Sequence, residues 1–151
     1  MSTATLQSPA STDEARILAV LATLVQANHD KNAALFAAQF APDAAVFNLA
    51  PPLVHHGVDV QEKQRWMDSW ATPVGLDTRD FEVTMSGDLA FCHGYMRLRG
   101  TKRGAEGAVD FWMRETLCLE RAEGAWRIVH EHTSVPFYMD GTLRPAFDLQ
   151  P

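Results

Sequence analysis

The spacing of apolar residues along this chain changes from a helical period in its first half to alternation in its second. The helical period predicts one long amphipathic helix, whose buried face is formed by Ile17, Leu18, Leu21, Leu24 and Val25. Ser11 and Glu14 have capping-box spacing and predict where this helix begins. A second, shorter helix is predicted over 31–40 and is expected to end at Pro42.

A third helix is predicted to begin after Asp59, which has capping-box spacing with Glu62. Its apolar stripe is Trp66, Met67 and Trp70. Pro73 is expected to stop it. Between the second and third helices, the segment 43–49 is predicted to form a short strand.

Apolar and polar residues alternate in the second half of the chain, which is typical of strands with one buried face. Turn-forming residues divide this half into strands at about 78–86, 88–99, 108–121 and 125–137. Helices followed by long antiparallel strands favour an α+β fold, with the helices packed on one face of a curved sheet. We expect one domain over 11–138, with a flexible N-terminal tail, 1–10, and an irregular C-terminal tail, 139–151.

The composition of the chain limits the classes of molecule that it is expected to bind. The 151 residues include 13 basic and 19 acidic side chains, a net charge of −6 that disfavours nucleic acid and anionic membranes as partners. Cys92 and Cys118 lie in predicted strands without a CxxC pair, which indicates reduced, buried thiols. The N-terminus lacks the features of a signal peptide, and no apolar run approaches the roughly 18 residues of a membrane span. We therefore expect a cytoplasmic protein.

The register of the last predicted hairpin decides which side chains meet across it. A three-residue turn at 122–124 makes Glu115 and Glu131 direct neighbours in apolar surroundings. Two buried carboxyl groups raise each other's pKa, and such a pair is typical of a functional site. A two-residue turn would instead place His132 opposite Glu115 and separate the two glutamates. Both registers are open at this point.

The opposite face of the last strand presents His130 and His132, whose spacing suits two ligands of one metal ion. In the register with the three-residue turn, however, Arg114 lies beside His132 and disfavours a divalent cation. His55 and His56 could add ligands only through tertiary proximity. We therefore expect no metal and no cofactor.

Two segments resemble a known family: DAAVFNLAPPLVHHG, residues 43–57, and RETLCLERAEGAWRIVHEHTSVPF, residues 114–137. They are similar to SnoaL-like proteins of the nuclear-transport-factor-2-like superfamily, which also contains the ketosteroid isomerases. The closing segment also resembles the association domain of calmodulin-dependent kinases. The resemblance covers 12–137 and implies a cone-shaped barrel, in which a strongly bent sheet wraps a long helix around a deep apolar pocket.

At the positions that the same resemblance aligns with the isomerases' ionisable catalytic residues, this chain has side chains that do not ionise. It places Asn48 at the position of their catalytic aspartate, Leu24 at that of their tyrosine and Leu117 near that of their protonated aspartic acid. None of these three side chains can exchange a proton. The resemblance therefore does not imply steroid isomerisation, although Asn48 could bind a substrate oxygen.

The resemblance also assigns the faces of the sheet. It implies that Val129, Glu131 and Thr133 line the pocket along the last strand. The further pocket residues that we predict are Phe36, Trp66, Trp70, Met113 and Leu117. The outer face of the sheet is expected to form a homodimer interface through Tyr95, Trp112, Arg114, His130 and His132.

These expectations combine into a small-molecule-binding domain that could be an enzyme without a cofactor. Glu131 would act as the general acid or base, Glu115 would raise the pKa of Glu131, and Asn48 would bind a substrate oxygen. The reaction would be an isomerisation, cyclisation, dehydration or hydrolysis of a small apolar or aromatic molecule. Two alternatives remain open: a ligand-binding protein without catalysis and a dimeric assembly domain.

Overall fold

A computed structural model of the protein describes residues 12–151, so the predicted tail 1–10 and the capping residue Ser11 lie outside the described part. The helices are α1 (Thr12–His29), α2 (Ala33–Ala37) and α3 (Val60–Asp68). The strands are β1 (Phe40–Phe47), β2 (His55–His56), β3 (Gly75–Ser86), β4 (Leu89–Gly100), β5 (Val109–Ala122) and β6 (Ala125–Ser134).

The six strands form one curved, open sheet in the order β2-β1-β6-β5-β4-β3. Neighbouring strands are antiparallel except β1 and β6, which run parallel. Helix α1 packs across the sheet and contacts β3 and β6, while α2 contacts α1 and α3. The predicted α+β fold, with its mostly antiparallel sheet, is therefore confirmed.

The hydrophobic core lies between α1 and the concave face of the sheet. Helix α1 buries Ile17, Val20, Leu21, Leu24 and Ala27. On the sheet side these residues meet the inward side chains of β5 and β6, among them Leu117, Leu119, Trp126 and Ile128. The prediction that Leu18 faces the core is wrong, since its side chain is 38% exposed.

The second helix is shorter than its apolar pattern predicts. It ends at Ala37, and the chain has become strand β1 by Phe40, which pairs with Ile128 of β6. Strand pairing therefore overrides the helical period here. Pro42 lies inside β1, where the β1–β6 register shifts between Phe40 and Ala45, so its missing N–H removes no regular ladder bond.

The four long strands predicted from alternation are present, with ends shifted by three residues at most. The short strand β2 was not predicted. Helix α3 ends at Asp68, before Trp70, which instead forms an isolated bridge with Lys102. The C-terminal segment forms neither a helix nor a long strand, and it is fixed by a bridge between Phe137 and Pro145.

Neither register considered for the last hairpin is observed: the register with the three-residue turn is wrong by two residues, because two local features add together. The turn has two residues, Glu123 and Gly124, both with positive φ, as a type I′ turn requires. A β-bulge at Val129 then adds one unpaired residue to β6. Beyond the bulge the total shift is two, which keeps the side chains from His130 onward on their predicted faces, so Glu131 points inward.

The longest helix spans 18 residues. Within 12–151, no helix is both long enough and apolar enough to cross a membrane.

Candidate active site

A cavity of about 340 Å³ lies between α2, α3, the loop after β1 and the concave face of the sheet. Its volume is near the lower end of the range for ligand pockets, about 300–1,000 Å³, so a compact ligand fits best. Most of its wall is apolar, with aromatic side chains from α2 and α3 and thioethers from β4 and β5: Phe36, Trp66, Met96 and Met113.

Glu115 and Glu131 form a buried carboxyl pair on the sheet side of this cavity. They are 2% and 8% exposed. Glu115 is paired in the ladder with Thr133 and Glu131 with Leu117, so the two glutamates are diagonal neighbours on one face. Their side chains hydrogen-bond to each other. The predicted direct pairing is corrected to this diagonal contact.

Burial raises the pKa of both carboxyl groups above the usual glutamate range. The shift is larger for Glu115, whose pKa is raised further by the negative charge and the hydrogen bond of Glu131. Burial is also the largest influence on Glu131, but the positive charge of Lys63 opposes it and favours the ionised form. Glu115 is therefore the carboxyl group of the pair that more strongly favours the protonated form, and Glu131 is the one that ionises more readily.

Lys63 completes the charged part of the site and was not predicted. Its Nζ lies 3.9 Å from the ring centre of Phe36 and 4.3 Å from that of Trp66, which are cation–π distances. Within residues 12–151, no ion pair shorter than 4 Å links this ammonium group to Glu115 or Glu131. The Lys63 nitrogen therefore lies more than 4 Å from the oxygen atoms of the carboxyl pair, and all three residues line the same cavity.

Burial lowers the pKa of Lys63 to about 8, and the charges of Glu131 and Glu115 partly oppose this shift. At neutral pH the ammonium form still predominates. The cavity thus combines a cation with a buried carboxyl pair inside a mostly apolar wall.

The local sequence explains why Lys63 points into the cavity. Gly57 has a φ of +73°, and a Cβ at this position would lie 2.3 Å from the Pro42 carbonyl oxygen, so only glycine fits the turn. Asp59 then caps α3 by accepting a hydrogen bond of 2.9 Å from the Glu62 N–H. These two positions fix the start of α3 and place Lys63 one turn into the helix.

Sequence comparison supports this description of the fold. No curated protein matches the chain. The model of the SnoaL-like domain matches residues 17–138. The chain belongs to the SnoaL-like domain family.

Solved structures extend the comparison. A nuclear-transport-factor-2-like protein of unknown function from Pseudomonas putida has a TM-score of 0.81 with this SnoaL-like domain at 27% identity, over 94% of this chain and 99% of the other. A Novosphingobium aromaticivorans protein, provisionally named a scytalone dehydratase, has a TM-score of 0.72 at 10% identity, over 91% and 95%. A Shewanella frigidimarina protein, provisionally named a ketosteroid isomerase, has a TM-score of 0.62 at 19% identity, over 77% and 92%. At these identities the last two likenesses show the fold alone.

The cavity of the SnoaL-like domain brings together most of the residues predicted for it: Phe36, Asn48, Trp66, Met113, Glu115, Glu131 and Thr133. Three others lie elsewhere. Trp70 packs behind Trp66 at 5.5 Å between ring centres, and Leu117 is buried in the core. Val129 is the bulged residue of β6 and does not line the cavity, because the bulge breaks the alternation that predicted it inward.

His55 and Asn28 also line the cavity and were not predicted as site residues. His55 of β2 is paired through Val46 with Glu131, so it shares the concave face. Asn28 lies near the end of α1 and is 2% exposed. Asn48 is exposed at the rim of the cavity, on the loop that follows β1.

The outer face of the sheet carries the residues that were predicted to form a homodimer interface. His130 Nδ1 donates a hydrogen bond of 2.7 Å to the Ala45 carbonyl oxygen, and Phe47 contacts the rings of both His130 and His132. Arg114 Nε donates to the Ser134 hydroxyl at 3.0 Å. In the described part of the chain, no three His, Cys, Asp or Glu side chains are grouped as metal ligands would be.

The raised pKa of Glu115 has a measurable effect on stability. Below about pH 4 this carboxyl is neutral in both the folded and the unfolded chain, since the unfolded pKa is about 4.3. As the pH rises further, the unfolded chain loses the proton and the folded chain keeps it, so the wild-type protein loses stability. Glu115→Gln is expected to remove this loss and to be more stable than wild type at pH 7 by about 1 kcal/mol or more.

Urea unfolding of Glu115→Gln and wild type at pH 4 and at pH 7 checks this expectation. Glu120→Gln, an exposed position on the same strand, is the matched control and should follow wild type at both pH values. An equal difference between Glu115→Gln and wild type at the two pH values would show that Glu115 is ionised in the folded protein at neutral pH.

Proposed function

We propose that this SnoaL-like domain is an enzyme that works without a cofactor and moves a proton at a carbon atom of a compact apolar or aromatic substrate. The observation that carries the proposal is the buried Glu115–Glu131 pair facing Lys63 across an apolar cavity. Perturbed carboxyl groups in a pocket are typical of acid–base catalysis.

Glu131 is the general base in this scheme. It carries the negative charge of the pair, and its raised pKa makes it a stronger base than an exposed glutamate. Glu115 retains its proton and donates to Glu131, which holds the base in position. Removal of a proton from the substrate carbon breaks one C–H bond and leaves the electron pair on the substrate as an enolate.

Lys63 stabilises that enolate oxygen. Its ammonium group is held over two aromatic rings and makes no short ion pair with the glutamates, so its N–H donors remain free for the substrate. A fixed cation in an apolar cavity interacts strongly with charge that develops during the reaction. Glu131 then returns the proton to the same or a neighbouring atom, which yields isomerisation, or allows a leaving group to depart, which yields dehydration.

Two structural neighbours support this class of reaction by name only, one provisionally as a dehydratase and the other as an isomerase. The geometry of the cavity supports the proposal independently of these names, because the place of Lys63 follows from its contacts in this chain. Asn48 lies at the rim of the cavity, at the position that the resemblance gives to the catalytic base of the isomerases. We assign it no role in proton transfer.

Deuterium exchange tests the proposal without knowledge of the natural substrate. Tetralone, indanone and similar neutral aryl ketones are incubated with the protein in D₂O, and loss of the α-proton signal is followed by proton NMR. The wild-type protein is expected to accelerate exchange for at least one compact ketone. Rates no higher than those with unfolded protein across the panel would contradict the proposal.

We also propose that two copies associate through the outer face of the sheet. The face exposes aromatic side chains that a monomer leaves in water, among them Phe91 and Tyr95, which are 43% and 39% exposed. Around them stand residues suited to a polar rim and to aromatic anchoring: Trp112, Arg114, His130 and His132.

Truncation of Tyr95 tests this interface. Tyr95→Ala is expected to weaken dimerisation about tenfold, as loss of an aromatic anchor does. Sedimentation velocity over a range of concentrations gives the dissociation constant, with the exposed C-terminal Met139→Ala as control. A wild-type protein that stays monomeric, or a Tyr95→Ala dimer as tight as wild type, would contradict the interface.

A further inference from the structure

Lys63 differs from the other two lysines of the chain in what its amine contacts. Lys31 Nζ donates a hydrogen bond of 2.6 Å to the Trp70 carbonyl oxygen, and Lys102 Nζ donates one of 2.8 Å to the Ser69 hydroxyl. Within residues 12–151, Lys63 Nζ makes neither a hydrogen bond nor an ion pair. Its lone pair is therefore not engaged by the protein when the amine is neutral.

The surroundings of the Lys63 amine favour its neutral form more than water does. The nitrogen lies 3.9 Å from the ring centre of Phe36 and 4.3 Å from that of Trp66. Burial lowers the pKa of Lys63 to about 8, so about a tenth of these side chains are neutral at pH 7. For an exposed lysine, with a pKa of about 10.4, fewer than about one in a thousand are neutral. The neutral amine is the nucleophilic form of lysine.

The Lys63 side chain is also open to a ligand. It is half-buried rather than enclosed, and it lines the cavity of about 340 Å³ together with Phe36 and Trp66. A compact aromatic molecule fits this volume, and its ring would pack on the two aromatic side chains.

The charges around the cavity favour a cation at the Lys63 nitrogen. Glu131 and Glu115 line the same cavity, and their negative charge raises the pKa of Lys63 against the effect of burial. An iminium ion at this nitrogen carries the same charge as the ammonium ion, so the same attraction stabilises it.

We propose that Lys63 forms a Schiff base with the carbonyl group of a compact aromatic aldehyde that enters the cavity. The neutral amine attacks the carbonyl carbon, a C–N bond forms, and an electron pair of the C=O bond moves to the oxygen. The oxygen leaves as water with one proton from the amine and one from the medium, and a C=N bond forms. The step needs no oxidant or reductant.

This activity goes beyond the proposed proton transfer at carbon. It uses the neutral form of Lys63, whereas stabilisation of an enolate uses the ammonium form. It also needs no acidic C–H bond in the ligand, so a suitable probe separates the two reactions.

Reductive trapping of the full chain with benzaldehyde tests the proposal. Benzaldehyde has no proton on the carbon next to its carbonyl group, so it is no substrate for the proposed proton transfer. Cyanoborohydride reduces the C=N bond to a stable benzylamine, and peptide mass spectrometry locates it. Lys63 is expected to be labelled about tenfold faster than Lys31 or Lys102, with a rate that saturates as the aldehyde concentration rises.

Lys102 is the sharper internal control, because burial lowers its pKa as well while its amine is held by a hydrogen bond. Lys63→Arg keeps a cation but cannot form a Schiff base, so saturable labelling should be lost while Lys31 and Lys102 are labelled as in wild type. Benzyl alcohol, which has the same ring without a carbonyl group, is expected to slow the labelling of Lys63 alone. Labelling of Lys63 no faster than that of Lys102, or a rate that rises without saturation, would overturn the proposal.

The two proposals fail in different experiments. Saturable labelling of Lys63 in a protein that exchanges no ketone removes the proton-transfer proposal and keeps the Schiff base. Ketone exchange in a protein whose Lys63 is not selectively labelled removes the Schiff base and keeps proton transfer.

Discussion

Glu131→Gln is expected to slow deuterium exchange of a turned-over ketone by about 10²- to 10⁴-fold, the usual contribution of a general base. Glutamine has the shape of glutamate but cannot accept a proton at neutral pH. The loss should therefore fall on kcat, while the affinity for the ketone changes little, because the apolar wall that binds the ring is intact.

The control for this variant is Glu120→Gln, which makes the same chemical change at an exposed position of β5. It is expected to exchange the ketone at the wild-type rate. If Glu131→Gln retains wild-type exchange, Glu131 is not the base. A loss confined to KM would assign Glu131 a role in binding alone.

Lys63→Met is expected to lower the exchange rate by about 10²- to 10³-fold, the typical loss when one oxyanion-stabilising donor is removed. Methionine approximates the unbranched stem of lysine and keeps contact with Phe36 and Trp66, while the charge is removed. The wild-type rate should also fall as the pH rises through about 8, because the ammonium form of Lys63 is lost there.

Lys63→Arg separates the effect of charge from that of packing. It keeps a cation that does not deprotonate, so part of the activity should return and the decline near pH 8 should disappear. A decline that persists in Lys63→Arg would assign this pH dependence to another group. Exchange at the wild-type rate in Lys63→Met would remove Lys63 from the mechanism.

The sequence predicts the fold well because the fold depends on patterns that a single chain displays. The four long strands follow from alternation and turn residues, and α1 follows from one apolar stripe. The second helix was misplaced because Phe40 fits the helical period equally well, and only its pairing with Ile128 decides for a strand. That pairing joins residues far apart in sequence, which a local pattern does not contain.

The site was predicted only in part, and Lys63 shows why. A lysine in a helix is usually exposed, so its burial among aromatic rings is a tertiary event. One local signal was present: Lys63 stands three and seven residues before Trp66 and Trp70, on the apolar stripe of the helix. A charged residue on such a stripe is a candidate for lining a cavity.

The carboxyl pair was predicted from a register that differs from the observed one. A two-residue turn alone would have separated Glu115 from Glu131, and the bulge at Val129 brings Glu131 back to the inner face. Bulges leave little trace in a single sequence, so only the structure gives the diagonal contact between the two groups.

Carbon-13 NMR of the protein labelled at the glutamate carboxyl carbons measures the shared proton directly, with Glu115→Gln and Glu131→Gln used to assign the two signals. The account predicts that, between about pH 5 and pH 7, the Glu115–Glu131 pair retains one proton that exposed glutamates, with a pKa near 4.3, have already lost. If both carboxyl carbons titrate together with the exposed glutamates and the pair is fully ionised at pH 7, the proposed acid–base site is contradicted.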